Sequence, residues 1–127
     1  MIVLDTHALL WWRSAPDKLG RRARRACERA DALGVSAISF WEVGVLARRG
    51  RVKLRVPLSE WTRDVLAGPN LEGLAITPEI AVIAAGLGMH GDPADRLVTA
   101  TALHHGCPLV TRDDAIRSAG IVETVWD

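Results

Sequence analysis

Five short apolar runs recur along the chain, and each pair is separated by a segment with helical rather than strand periodicity. The runs are "IVLD" at 2–5, "VSAI" at 35–38, "LAI" at 74–76, "PLVT" at 108–111 and "IVETVW" at 121–126. A strand that alternates with helices cannot pair through tight hairpins, so this order dictates parallel β-α-β units. The runs are apolar throughout rather than alternating, which is the pattern of a sheet covered on both faces. Helices are expected over Thr6 to Arg13, Lys18 to Leu33 with Gly34 as its stop, Phe40 to Arg49, Leu58 to Leu66, Thr77 to Gly88 and Pro93 to His105. The last two open with Thr77-Pro78 and Asp92-Pro93, a capping residue followed by proline where a missing N–H costs nothing. The 127 residues are enough for one domain with one core and show no repeat or linker, so residues 1–127 are read as a single α/β domain.

In open parallel sheets, ligands bind outside the carboxyl ends of the strands. Asp5 closes the first run, Glu42 follows the second by about a helical turn, and Asp113 and Asp114 follow the fourth. Asp92 and Asp95 open the helix that leads into the fourth strand. Each acid has an ordinary explanation on its own. Asp5 and Asp92 suit helix caps, and Asp95 suits the first turn of a helix dipole. Ser39-Phe40-Trp41-Glu42 matches a capping box, in which the glutamate reaches back to the cap N–H. Together they gather at one rim, where crowded carboxylates repel and their pKa values rise unless a cation is present. Oxygen donors without histidine or cysteine at ligand spacing favour a hard ion, Mg²⁺ or Mn²⁺, over zinc.

The remaining composition narrows the classes. Apolar residues make up 49% and charged residues 24%, an ordinary balance for a globular chain. No apolar run reaches the length of a membrane span, and "MIVLDTHALLWWR" lacks the basic start of a signal peptide. Cys27 and Cys107 are too few for a disulfide framework, so a reducing cytoplasmic setting is expected. The net charge is only +1, but "KLGRRARRACER" and "RRGRVKLR" are strongly basic. They read either as phosphate-binding segments or as solvated faces. His104 and His105 fall in the last turn of a helix, where positive charge is favoured; His7 sits near the acidic rim without an evident partner.

Three segments, "VLDTHALLWW", "VSAISFWEVGVLARRGRV" and "DPADRLVTATALHHGCPLVTRDDAI", together resemble the PIN-domain family, and more closely the VapC-type toxins of bacterial toxin–antitoxin pairs. They lie in family order and span most of the chain. The resemblance implies a three-layer α/β/α sandwich with a short, mostly parallel central sheet, and a metal-dependent ribonuclease. It assigns the family's four acids to Asp5, Glu42, Asp95 and Asp113. Asp5, Asp95 and Asp113 would hold Mg²⁺ or Mn²⁺, with Glu42 acting through water or a second ion. Thr6 and Thr111 match supporting hydroxyl positions. Arg96 and Arg112 are candidate contacts for substrate or antitoxin, and Asp92 and Asp114 are read as a cap and a neighbour of the site. It further implies hydrolysis of RNA to a 5′-phosphate, a cognate VapB-like antitoxin, and a homodimer touching through the helices near 40–49 and 58–66. One departure stands out: the middle position of "DPADR", often aromatic in the family, is Ala94.

Two rival catalytic classes lack their required residues. A haloacid-dehalogenase-type phosphatase wants a second aspartate where His7 stands, and a phosphoacceptor receiver wants a lysine that "IVETVWD" lacks. A PIN fold that binds RNA or a partner without cutting remains the alternative, and the intact acids argue against it.

Overall fold

The computed structural model describes all residues from Met1 to Asp127. Five strands form one sheet in the order β3-β2-β1-β4-β5, and every pairing is parallel. The strands are β1 (Ile2–Leu4), β2 (Leu33–Ser36), β3 (Leu71–Leu74), β4 (Leu109–Val110) and β5 (Thr124–Val125). The helices are α1 (Thr6–Ser14), α2 (Arg21–Arg29), α3 (Ala37–Arg48), α4 (Leu58–Leu66), α5 (Pro78–Gly86), α6 (Pro93–His105) and α7 (Asp114–Ala119). The chain builds outward from β1 through β2 to β3, then returns to lay β4 on the other side of β1. The strand order therefore reverses between β1 and β4, the place where parallel sheets open a crevice.

Alternation along the strands supplies the two faces. Ile2, Leu4, Val35 and Val110 join Leu9, Ala23 and Val65 in one core, under α1, α2 and α4. Val3 and Leu109 join Val98, Ala102 and Ile116 in a second core, under α6 and α7. A smaller cluster of Ile80, Ala84 and Ala100 welds α5 to α6. The result is the expected α/β/α sandwich, with a sheet that is wholly rather than mostly parallel.

Several boundaries differ from the sequence reading. The expected helix over Lys18 to Leu33 is a 3-10 turn at Pro16–Lys18 followed by α2, which ends at Arg29. Gly34 is no helix stop; it lies inside β2. A Cβ there would come within 2.7 Å of Leu74 Cδ1 and 3.1 Å of the Met1 sulfur, so the close approach of side chains from the flanking strands explains the glycine. The third strand is Leu71–Leu74, earlier than "LAI", because pairing Leu33 with Leu71 and Ser36 with Leu74 fixes the register. Residues 121–126 supply only two strand residues. The helix expected from Phe40 starts three residues earlier, at Ala37, and its cap is Ser36, whose hydroxyl accepts from Ile38 N at 3.3 Å. Helix α6 matches its expected span, with Asp92 as cap and Gly106 at φ 63° closing it.

Candidate metal and nucleic-acid site

The parallel sheet delivers the acids to one edge. Asp5 follows β1 directly, α3 carries Glu42 away from the end of β2, and Thr111-Arg112-Asp113 leave the end of β4. The first turn of α6 adds Asp92 and Asp95. All of these acids line one cleft of ≈ 290 Å³, whose wall also includes His7, Ala8, Trp11, Arg112 and Trp126. Asp114 is exposed and lies outside this lining.

Asp5 is the most constrained of the set, only 7% exposed. Its Oδ2 accepts from Thr111 Oγ1 at 2.8 Å, and its Oδ1 accepts from Thr6 N at 2.7 Å. The second bond is the N-cap of α1, so the capping explanation holds for Asp5 and does not exhaust its role. Burial pushes its carboxyl above the ordinary range, and the Thr111 and Thr6 bonds pull it part of the way back. The Thr111 hydroxyl also accepts from Asp113 N at 3.0 Å. One side chain thus ties the loop after β4 to the end of β1. Asp113 caps α7, with Oδ1 accepting from Ile116 N at 2.9 Å.

Glu42 is not part of a capping box. Ser39, buried in the first turn of α3, is three residues past the true cap, and Glu42 instead accepts from the Thr6 hydroxyl. Thr6 Oγ1 also stands 3.0 Å from Ser39 Oγ. A threonine has one hydroxyl hydrogen; with it on the carboxylate, Ser39 supports Thr6 from behind. The Glu42 pKa is raised, first by burial, with Asp5 and Asp92 adding repulsion and the Thr6 bond opposing. Ser39 is a supporting residue that the sequence reading used only as a cap, because Ser39-Phe40-Trp41-Glu42 fits the capping-box pattern and Ser36 does not.

Asp95 carries the strongest electrostatic load. Its carboxyl is pushed up to about 7, first by burial and then by the negative charges of Asp92, Asp113, Asp5 and Glu42. Its backbone N–H donates to Asp92 Oδ1 at 2.8 Å, which confirms Asp92 as the cap of α6. Gly91 lets the preceding loop lie against it, since a Cβ there would come 3.3 Å from Asp95 Cβ.

None of these acids forms an ion pair; the salt bridges in the chain involve Asp31, Asp17, Glu28 and Asp127. The two arginines nearest the cleft are engaged elsewhere. Arg96 donates to the carbonyls of Met89 and Ala84, both at 2.9 Å, and Ala85 at 3.2 Å, which clamps α5 and its following loop to α6. It does not line the cleft. Arg112 does line it, but its guanidinium carbon sits 4.6 Å above the Trp11 ring rather than on a carboxylate.

The donor set is dominated by carboxylate oxygen, which fits a hard divalent cation better than zinc. An ion there would lift the repulsion that raises Asp5, Glu42 and Asp95. The fit is one of chemistry rather than of a finished cage: no three His, Cys, Asp or Glu side chains converge closely enough to form a preset binding cluster. Cys27, buried with its thiol pushed up to about 11, takes no part. His7 lines the cleft, as its place near the acidic rim suggested, whereas Trp11 and Trp126 were not singled out as cleft residues; for Trp11 the signal available was the 7, 8, 11 spacing, which places His7, Ala8 and Trp11 along the face of α1 that continues from Asp5.

Comparison with known proteins sets this geometry in context. A family described as "PIN domain" matches residues 2–122. The chain is 40% identical over 119 residues to "Ribonuclease VapC22" of Mycobacterium tuberculosis, covering 92% of this chain and 90% of that protein. Among solved structures, VapBC2 from Rickettsia felis, bound to a DNA fragment from its promoter, superposes over all of both chains with a TM-score of 0.69 at 16% identity. A toxin–antitoxin complex from Klebsiella pneumoniae gives 0.67 at 23% identity, covering 96% of this chain and 95% of that one. No helix of the chain is long and apolar enough to cross a membrane.

Proposed function

The chain belongs to the PIN-domain family, among its VapC-type toxins, and from that premise we propose that it is a Mg²⁺- or Mn²⁺-dependent ribonuclease whose partner is a cognate antitoxin. The observation that carries the proposal is the cleft itself: Asp5, Glu42, Asp95 and Asp113 face one space, and none of them forms an ion pair. Burying uncompensated carboxylates costs stability, and a site that retains four is built for a cation it does not supply.

Asp5, Asp95 and Asp113 are the side chains that would hold the ion, with Glu42 acting through water or on a second ion. Mg²⁺ or Mn²⁺ bound there would lower the pKa of a coordinated water and offset negative charge developing on the phosphate. The chain's own part is placement. Thr111 fixes Asp5 and the Asp113 backbone relative to each other, and Thr6 fixes Glu42. In-line attack by water on phosphorus leaves a 5′-phosphate and a 3′-hydroxyl and needs no 2′-hydroxyl nucleophile. Single-stranded or looped RNA fits an open cleft better than a duplex does.

The cognate antitoxin is a VapB-like chain that restrains the nuclease in the cytoplasm until it is released. A homodimer is part of the same reading. The apolar side chains exposed on α3 and α4, Trp41, Leu58 and Leu66, suit either contact.

The deciding experiment incubates purified protein with a labelled single-stranded RNA in Mg²⁺ or Mn²⁺, with and without chelator, and identifies the product ends. Chelator-sensitive fragments carrying 5′-phosphate are expected. Cleavage that persists in chelator, or ends bearing a 2′,3′-cyclic phosphate, would overturn the metal-dependent mechanism. RNA binding without any cleavage would favour the silent scaffold instead.

A further inference from the structure

One wall of the cleft is not acidic. Trp11, Trp126, His7 and Arg112 face the same space as the carboxylates and pack on one another. The Trp11 and Trp126 rings are 5.7 Å apart, and His7 stands 5.8 Å from Trp11. Arg112 lies over the Trp11 ring at 4.6 Å. That position is unexpected on electrostatic grounds. Arg112 is exposed, adjoins Asp113 in sequence and shares a cleft with five carboxylates, yet it makes no ion pair. Its cation is held over an aromatic ring instead.

The ring beneath it is firmly seated. Trp11 and Trp126 both pack against the core that includes Leu9, Leu19 and Ala23. The Trp126 carbonyl accepts from Ala23 N, which pins the chain's end to α2. A firmly packed aromatic ring with an arginine above it offers an unpaired nucleobase something to stack on; indole and guanidinium planes both serve that role in single-strand recognition. The two indoles meet at a tilt of 56°, and neither a phosphate nor a divalent ion has use for such an aromatic wall. The charge of Arg112 at the same place would also relieve repulsion between the acidic cleft and an RNA strand.

Building on the ribonuclease reading above, we propose that Trp11, Trp126 and Arg112 form a stacking platform that receives an unpaired base of the RNA strand next to the phosphate held at the acids. The carboxylates then act on the backbone, and the platform sets which nucleotide is presented. These are binding residues; the bond-breaking groups are the acids.

The test compares two fluorescein-labelled probes, an RNA octamer of adenosines and a ribose-phosphate octamer lacking bases, by anisotropy in Mg²⁺ with the full chain carrying Asp5→Asn to prevent cleavage. Stacking one base predicts about tenfold tighter binding of the adenosine octamer. Adding Arg112→Lys at this exposed position keeps the charge and removes the plane, so the preference for bases should shrink while affinity for the baseless octamer stays. Trp11→Leu, checked for folding by circular dichroism, should shrink it in the same way. Equal affinity for both octamers, or an unchanged preference in Arg112→Lys and Trp11→Leu, overturns the platform. The unsubstituted chain is assayed for cleavage in parallel. RNA cutting without base preference would leave the nuclease reading standing, whereas no cutting and no binding of either octamer would end both.

Discussion

The two sides of the acidic cleft are built to different standards. On the strand side, Asp5 has both carboxylate oxygens engaged, and Thr111 links it to the loop of Asp113. On the helix side, Asp92 and Asp95 stand at the first turn of α6, and the bond between them uses the Asp95 backbone rather than its carboxylate. Burial acts on both sides. Hydrogen bonds offset it at Asp5, while at Asp95 the neighbouring carboxylates add to it. One wall is thus fixed by hydrogen bonds to its carboxylate, while the Asp95 carboxylate on the other has none.

The largest effect that would break this contrast is at the fixed wall. Asp5→Asn keeps the cap of α1 but removes the charge, and RNA cleavage should fall by at least ~100-fold, beyond the range seen for outer supporting residues. Near-normal rates in a folded Asp5→Asn protein would remove the strand side from the chemistry.

Thr111→Val should cost less, roughly 10- to 100-fold in metal affinity or activity, because Asp5 stays charged but loses its orienting donor. Isothermal titration with Mn²⁺ separates the two: weaker binding is expected, with circular dichroism unchanged. Unaltered Mn²⁺ affinity would mean the Thr111 bridge positions nothing.

The smallest effect probes the open wall through pH. The folded chain holds the Asp95 proton up to about pH 7, whereas the unfolded chain releases it near an ordinary aspartate value of ~4. The folded state therefore binds the extra proton, and the cost of ionising Asp95 is absent below about pH 4, grows through the interval and is complete above about 7. In metal-free protein, Asp95→Asn should raise the melting temperature at pH 8 and leave it unchanged at pH 4. Mn²⁺ affinity of the unsubstituted chain should rise between pH 6 and 8 as this proton leaves. A variant that gains equal stability at both pH values would place the strain somewhere other than in the carboxylate charge.

What the sequence disclosed follows the range of the forces involved. The start of α6 was legible because Asp92-Pro93 and Gly106 act within a few residues of themselves, and the acids could be assigned to one rim once the strands were read as parallel. The limits of β2 and α2 were not. The stretch from Lys18 to Leu33 has helix-forming composition throughout, and only pairing with β1 and β3 draws Leu33 and Gly34 into the sheet. The choice between Ser36 and Ser39 as cap turned on the same boundary. Where Arg96 points was not legible either, because its proximity to Asp95 in sequence says nothing of direction; on α6 its side chain runs toward α5. The stacked wall escaped notice because Trp126 reaches Trp11 only when β5 docks on the sheet.

The bond from Thr111 to Asp5 joins groups 106 residues apart, and Asp113 lies beyond it. A fragment that stops before the loop after β4 therefore carries Asp5 without Thr111 or Asp113, so this side of the cleft exists only once folding has joined two stretches of chain that are far apart in sequence.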